Sequence, residues 1–347
     1  MDGGNVMSLQ PALRRTWPVA AGLACFAVIT ALLFGHSTPS ILGFFALLWN
    51  GAFGDGYAVS ETLVKATPTL WCALAVAVPA QLGLTSIGAE GQMYAGAIIG
   101  GAVVLLLPHQ PAWVLMPAML LGGAAGGASW GAIAGWLKAR FGMTEVVVTM
   151  LQNFIAINVL EYLIHGPWMA AKSGNWPQSA EFPAAAILPP IVPGFRTHVG
   201  LFGGIGAALA LRFVVRRTRW GLAVRILTGN PRVAAQAGLS RNAYIIGVMA
   251  IGGSLAGLGG MCEASAIQNR LESAFLQGYG LSGFLVSALA GHDFRLIIPL
   301  SIIMGAILTS ADTLQLSAGL PASSAMILQG VLFACVVGWT SFARSRR

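Results

Sequence analysis

Residues 243–265 read AYIIGVMAIGGSLAGLGGMCEAS, a run of apolar and small residues with one charged side chain, Glu263. About 20 such residues in a helix cross the hydrocarbon core of a bilayer, which is roughly 30 Å thick. Similar runs recur along the 347-residue chain, which is 56% hydrophobic and 9% charged. Because soluble domains carry about 25% charged residues, this composition excludes a soluble enzyme, a disulfide scaffold and a disordered chain.

The apolar runs predict an all-α protein, a polytopic transmembrane helical bundle of about ten spans. Helices are expected because backbone groups in lipid must find partners within their own segment. The predicted spans are residues 17–35, 60–83, 87–107, 111–137, 144–164, 197–215, 243–265, 277–292, 296–314 and 322–341. The shorter apolar run 41–49 is interpreted as an interfacial or re-entrant piece.

The distribution of basic residues predicts the orientation, because cytoplasmic loops are enriched in Lys and Arg. With both termini inside, fifteen of the nineteen Lys and Arg residues lie on the cytoplasmic side; the exceptions are Lys65, Lys172, Arg196 and Arg270. The net charge of +8 is therefore interpreted as a topology signal, and no nucleic-acid partner is expected. Arg14 and Arg15 before the first run resemble a signal peptide, but the run is long and nine more spans follow, so an uncleaved helix is predicted.

Two loops are larger than the others. Residues 165–196 are rich in Pro, Trp and Ser and are predicted to be extracytoplasmic, whereas the basic loop 216–241 is predicted to be cytoplasmic. In the cytoplasmic loop, Asn230 suits a helix N-cap, Pro231 suits the first helical position and Gly238 suits a stop. The sequence therefore predicts a short exposed helix from Pro231 to Ala237.

The stretch Ser86-Ile-Gly-Ala-Glu-Gly-Gln92 interrupts the helical pattern and contains no Lys or Arg. It is interpreted as a re-entrant or broken helix near residues 84–92, of the kind that lines a solute path in transporters. The alternative is a tight turn at the membrane face with Glu90 in water. The spacing alone leaves both interpretations open.

A second polar constellation and two small-residue stretches lie within the predicted spans. Glu145, Gln152 and Asn153 fall near one helical face, where they line a pore or hydrogen-bond neighbouring helices.

Residues 122–128 and 252–257 are rich in Gly and Ala, and Gly253 with Gly257 forms a GxxxG pattern. Small residues let helix backbones approach closely in lipid, so these stretches predict a tightly packed bundle.

Several kinds of chemistry have no motif in the sequence. The four cysteines are dispersed singly and no Cys or His spacing suits a metal, so neither a metal nor a cofactor is expected. The phosphate-binding pattern GxxxxGK[ST] does not occur; its backbone N–H groups and Lys are what bind ATP phosphates. The chain is therefore predicted not to be an enzyme, and no catalytic residues are assigned.

Four motifs, in order from about residue 57 to the C-terminus, resemble one transporter family. SIGAEGQ at 86–92 resembles the family's NIGAEGQ, and 144–154 with HGPW at 165–168 is similar to its NEVISTIMLNY and VHGPW-like end. The third motif combines TRWGLAVR at 218–225 with GNPRVAAQAG at 229–238 and looks like the family's TRxGLRxRAVGxNPxAAxxAG. The fourth combines SLAGLGG at 254–260 with Glu263 and looks like SGxLAGLAGxxE. The chain resembles the permease subunits of ABC importers for simple sugars and nucleosides. These belong to the same type as the permeases for branched-chain amino acids and ribose.

The resemblance implies a single transmembrane permease domain over residues 1–347, in a multi-pass protein of the bacterial inner (cytoplasmic) membrane. It implies three protein partners besides membrane lipid: an ABC ATPase subunit that hydrolyses ATP, a second permease in a heterodimer, and an extracytoplasmic solute-binding lipoprotein. The expected solute is a nucleoside or a related sugar-containing molecule. The alternatives are a free sugar such as a pentose, or an ion-coupled secondary transporter with ion sites at Glu90, Glu145, Glu263 and Asp312.

The resemblance also assigns site residues by position. The substrate pathway is expected at Glu90, Gln92, Ser86, Asn153 and Glu145. Loop 216–241 is expected to be the coupling loop that contacts the ATPase, through Asn230, Pro231, Arg232, Ala234, Ala235 and Gly238. This sequence departs from the family pattern at Ser86, Thr144 and Ser282, where the family has Asn, Asn and an acidic residue. These departures bear on which solute is carried.

Overall fold

The computed structural model describes residues 24–25, 28–31, 41–171, 174, 176–276, 278–318, 321 and 323–345. Across these residues the chain is helical, and its only strand-like pairs are isolated bridges such as Gln178 with Glu272. The prediction of an all-α protein is confirmed.

Twelve α-helices are numbered here in chain order within the described residues. They are α1 (Ile41–Phe53), α2 (Gly56–Ala80), α3 (Ala89–Leu106), α4 (Ala112–Phe141), α5 (Glu145–His165), α6 (Gly200–Arg217), α7 (Arg219–Gly229), α8 (Pro231–Gln236), α9 (Arg241–Glu263), α10 (Tyr279–Leu289), α11 (Phe294–Ala318) and α12 (Ser324–Ser345). A 3₁₀ turn covers Ala184–Ala186, and a π-helical turn, Ala264–Gln268, extends α9.

Six of the described helices are long and apolar enough to cross a membrane: α2, α3, α4, α5, α9 with its π-helical turn, and α11. The predicted count of about ten spans is not confirmed. Predicted span 277–292 contains α10, whose 11 residues are only about 16 Å long. Predicted span 197–215 contains α6, which carries Arg212, Arg216 and Arg217 within 18 residues. Predicted span 17–35 lies largely outside the described residues.

The chain divides into two compact units, one of Leu63–Gly305 and one of Met1–Thr62 with Ala306–Arg347. In the second unit, the run 41–49 is part of α1, whose Phe44 packs with Ala311, Leu314 and Leu328 in a buried apolar cluster. The Ser310 hydroxyl donates to the carbonyl oxygen of Leu48 at 2.6 Å. All the predicted pathway and coupling residues lie in the first unit, whereas Asp312, an ion site of the secondary-transporter alternative, lies in the second.

Glycines form the contact between α3, α4 and α9 in the first unit. A Cβ placed on Gly127 would lie 2.1 Å from the Gly253 carbonyl oxygen, and one on Gly96 would lie 2.2 Å from the Cα of Gly257. No side chain fits at these distances, so the three backbones touch directly. This is the close packing that the small-residue stretches predict.

We expect Gly257→Ala to destabilise the protein by roughly 3 kcal/mol, the upper end of the cost of overpacking. A methyl group there would lie 2.2 Å from the backbone oxygen of Gly123, which cannot move aside without shifting α4. The measurement is thermal unfolding in detergent. Gly247→Ala on the same helix is the matched control, because a Cβ at Gly247 meets nothing within 4 Å. Equal melting temperatures for the two variants would contradict the prediction.

Candidate functional site

The helical pattern breaks between α2 and α3, where the sequence places its SIGAEGQ motif. The chain turns at residues 81–83, with Gly83 at φ +75°, and is non-helical to Gly88. The carbonyl of Pro79 accepts from the backbone N–H groups of Leu82 (2.9 Å) and Leu84 (3.2 Å). The predicted broken helix is therefore present; Ser86 and Gly88 in it are buried, whereas Gly83 and Thr85 are exposed.

Side chains on one face of α5 bind the backbone of this break. The Thr85 N–H donates to Oε1 of Glu145 (3.2 Å), and the Ile87 N–H donates to Oγ1 of Thr149 (3.3 Å). Asn153 accepts from the Gly91 N–H (2.8 Å) and donates to the Ile87 carbonyl (3.0 Å). Backbone groups that a helix does not pair internally need such partners where they are shielded from water.

Thr149 is the member of this face that the sequence interpretation missed. It lies four residues after Glu145 and four before Asn153, a spacing that places all three on one helical face. Gln152, which was included, contacts a different helix: its Nε2 donates to the Trp130 carbonyl (3.0 Å), and Trp130 Nε1 donates to the Gln152 carbonyl (3.3 Å). Gln152 thus joins α5 to α4.

Glu145 is held by an ion pair as well as by the break. Its Oε2 lies 2.5 Å from Nζ of Lys138 in the last turn of α4. Gly142, at φ +67°, ends α4 and lets the chain reverse into α5. The carboxylate therefore connects α4, α5 and Thr85, which gives it a defined structural task in addition to the predicted pathway role.

Glu90 lies where two helices begin. It is in the first turn of α3, and its carboxylate interacts with the backbone N–H groups of Gly278 and Gly280 at the start of α10. A Cβ on Gly280 would lie 2.4 Å from the Cβ of Glu90, so only glycine allows this approach. A carboxylate is favoured at a helix N-terminus by the exposed N–H groups and the helix dipole.

The remaining predicted pathway residues are also in the interior. Ser86 and Gln92 are each 2% exposed, so both are shielded from lipid. Ser282, which replaces the acidic residue of the family pattern, is fully buried, and its hydroxyl donates to the Gly278 carbonyl at 2.8 Å. This hydroxyl lies on the same turn that carries the N–H groups facing Glu90.

A second break, between α9 and α10, is covered by the loop 165–196. The Ser179 N–H donates to the Leu271 carbonyl (2.8 Å), and the Phe182 N–H donates to the Asn269 carbonyl (2.8 Å). Arg270 forms an ion pair with Glu181. The Leu276 N–H donates to the hydroxyl of Tyr94, a buried residue of α3. The second break therefore also packs against α3, and the sequence interpretation identified only the first break.

The loop 216–241, the predicted coupling loop, contains the predicted short helix, here α8. The Asn230 side chain caps it, accepting from the N–H groups of Arg232 (3.1 Å) and Val233 (3.3 Å), and Pro231 is its first residue. Gly238, at φ +71°, follows its end. Arg232 and Ala235 are exposed, whereas Ala234 is 1% exposed. The loop also contains α7, a helix that the sequence interpretation missed although Thr218 is its N-cap.

Asn153→Leu is expected to destabilise the first break. The change would leave the Gly91 N–H and the Ile87 carbonyl without their partner, at about 1–3 kcal/mol for each buried group. The measurement is proteolysis at residues 81–91, which should become faster.

The control for that experiment is Asn158→Leu on the same helix. Asn158 is exposed, and its side chain donates only to the Phe154 carbonyl one turn earlier. Equal proteolysis of the two variants would show that Asn153 does not hold the break.

Comparison with known proteins agrees with this architecture. Residues 58–337 match the family model described as the branched-chain amino acid transport system permease component. The chain belongs to this family. It is similar to the glucose ABC transporter permease protein TsgB13 of Haloferax volcanii, with 33% identity over 98% of this chain and 93% of the relative. This permease is also similar to the guanosine ABC transporter permease protein NupP of Bacillus subtilis, with 31% identity over 90% of the chain and 89% of the relative.

A third relative is the nucleoside ABC transporter permease protein NupB of Lactococcus lactis, 28% identical over 76% of this chain and 73% of the relative. The family and these relatives confirm the resemblance seen in the motifs. The protein is a multi-pass membrane protein and a permease subunit of an ABC transporter, a class that works with an ATPase.

Proposed function

We propose that this permease imports a nucleoside or a related sugar-containing solute across the bacterial inner membrane. The relatives named for guanosine and glucose match nearly the whole chain, and both solutes contain a hydroxylated sugar ring. The observation that carries the proposal is the partly buried break at 81–88, where a non-helical backbone and the polar side chains of Ser86, Glu90 and Asn153 lie within a helical membrane unit. Discontinuous helices of this kind line solute sites in transporters.

In this proposal Glu90, Gln92, Ser86, Asn153 and Glu145 form or support the solute pathway. Glu90 and Gln92 offer acceptor and donor groups that suit hydroxyls. Asn153 and Glu145 act chiefly by holding the break in place through the Gly91 and Thr85 N–H groups.

ATP hydrolysis is assigned to a separate ATPase subunit that docks on the coupling loop 216–241. Three features support this assignment: α8 is short, it is capped by Asn230 and Pro231, and Arg232, Val233 and Ala235 are exposed on it. A rigid helix with an exposed apolar and basic face suits insertion into a partner's groove. The orientation predicted from the basic residues, with both termini inside, agrees with this loop being cytoplasmic and the loop 165–196 being outside.

The complete importer then contains a second permease in a heterodimer and an extracytoplasmic solute-binding lipoprotein. Uptake into proteoliposomes that contain all four subunits tests the proposal with labelled guanosine, glucose and ribose. Guanosine uptake that requires internal ATP is the expected result. Uptake of ribose or glucose alone would favour the free-sugar alternative. Uptake that survives ATP depletion and collapses with an uncoupler would replace the proposal by a secondary transporter.

A further inference from the structure

Gln81, the first residue after α2, connects the first break to a distant turn. Its side-chain amide donates to the His292 carbonyl (3.2 Å), and it also donates to the Ala77 carbonyl (3.2 Å) within its own helical turn. A primary amide has two N–H groups, so both bonds form together. His292 lies between α10 and α11, and its Nδ1 lies 2.9 Å from Oγ of Ser287.

The backbone carbonyl of Gln81 contacts the coupling loop. Oγ1 of Thr228 lies 3.1 Å from the Gln81 carbonyl oxygen and 2.8 Å from the Val224 carbonyl oxygen, so its single proton is shared between the two. Thr228 is in the last turn of α7, two residues before Asn230, the cap of α8. Gln81 therefore touches the loop that carries α8 and the turn that follows α10.

Two cavities border this junction. One, of about 220 Å³, lies between Thr85 in the first break and Phe284 in α10. The other, of about 190 Å³, lies beside Arg212, Arg216 and Asp293, and His292 lines both. Both are clefts partly open to the surface, so the space beside the Gln81–His292 bond leaves room for the break and α10 to move relative to each other.

The end of α6 reaches the same turn. Arg212 and Arg216 lie 3.8 Å and 3.6 Å from the carboxylate of Asp293. Since α6 leads directly into α7, the turn at 290–293 is joined to the coupling loop by these ion pairs as well as by Gln81. The ion pairs are long and Arg216 is half-exposed, so solvent weakens them. The Gln81 amide makes the shorter contact.

We propose that Gln81 is a positioning residue that couples movement of the coupling loop to the solute pathway. It joins Thr228 on one side to His292 on the other, so α7 cannot shift without moving the start of the break and the end of α10. Because Glu90 contacts the start of α10, such a movement reaches both discontinuous helices. This inference rests on the proposed function, because it requires an ATPase on the loop.

The test is the ratio of solute imported to ATP hydrolysed by the four-subunit importer in proteoliposomes. Gln81→Leu keeps the side chain's size but removes the bond to His292. We expect the ratio to fall about tenfold, the change that one ordinary hydrogen bond makes in an equilibrium, while the ATPase subunit stays bound and ATP hydrolysis continues. Thr228→Val, at an exposed position, should lower the ratio in the same direction but less.

Two matched variants serve as controls. Gln110→Leu changes an exposed glutamine in the turn after α3. Thr69→Val removes a hydroxyl that donates only to the Lys65 carbonyl one turn earlier. Both should leave the ratio unchanged.

An unchanged ratio in Gln81→Leu would overturn the inference. A parallel fall in import, ATP hydrolysis and melting temperature would also overturn it, since that pattern indicates a purely structural role. If Gln81→Leu does not fold, an unchanged ratio in Thr228→Val overturns it. Failure of the proposed function is a separate result: the wild-type permease would then bind no ATPase at all.

Discussion

Ala235→Glu is expected to abolish ATPase binding and solute import while leaving the permease folded in the membrane. Ala235 is exposed on α8, so a carboxylate there meets no neighbour within the chain. At a docked interface, however, it would be buried without a partner, which costs several kcal/mol. The measurement is co-purification of the ATPase subunit with the tagged permease, followed by uptake into proteoliposomes. Binding should fall by at least about a hundredfold.

The control for Ala235→Glu is Ala180→Glu, the same substitution at an exposed position of the loop 165–196. It should bind the ATPase as the wild type does. Ala234 is a less suitable site because it is buried, and a glutamate there would disturb the loop itself. Normal import by Ala235→Glu would contradict the docking proposal without affecting the membership of the family.

Glu90→Ala is expected to reduce import by at least about tenfold. The substitution leaves the N–H groups of Gly278 and Gly280 without the carboxylate that faces them; Gly280 is buried, and a buried group without a partner costs about 1–3 kcal/mol. The contact between the starts of α3 and α10 then loosens. The measurement is the initial rate of import at saturating solute, with the amount of folded permease determined by size-exclusion chromatography.

Glu90→Gln separates the two tasks assigned to Glu90, which are to accept hydrogen bonds from the start of α10 and to place a negative charge in the solute pathway. The amide oxygen still accepts from the N–H groups of α10, so folding should be close to that of the wild type. If import by Glu90→Gln stays low, the charge acts in the pathway; if it recovers, the hydrogen-bond acceptor is what matters. Wild-type import by Glu90→Ala would show that import needs neither the charge nor the hydrogen-bond acceptor of Glu90.

Features of the fold that depend on residues adjacent in the sequence were predictable from the sequence. Apolar runs predict helices because helical hydrogen bonds form within one segment, and the Asn230-Pro231 pair predicts the start of α8 because capping is local. Glycines and Pro79 mark the first break for the same reason. One short element was harder: α10 has only 11 residues, but hydropathy extends it into a predicted span over residues 277–292.

The contacts within the candidate site were not predictable in the same way. Glu145, Thr149 and Asn153 share a face that the sequence shows, but their partners, Thr85, Ile87 and Gly91, lie 60 to 66 residues away. A polar stripe has the same spacing whether it lines a pore or binds a neighbouring backbone.

The sequence by itself determined that the chain is a helical membrane protein, where its first break lies and which transporter family it belongs to. These properties follow from hydropathy, local capping and motifs of adjacent residues. Only the tertiary structure decided that α5 holds that break, that Glu90 faces the start of α10, and that Gln81 joins the coupling loop to the turn after α10. Those contacts depend on how distant helices pack, and direct glycine contacts such as Gly127 with Gly253 fix that packing.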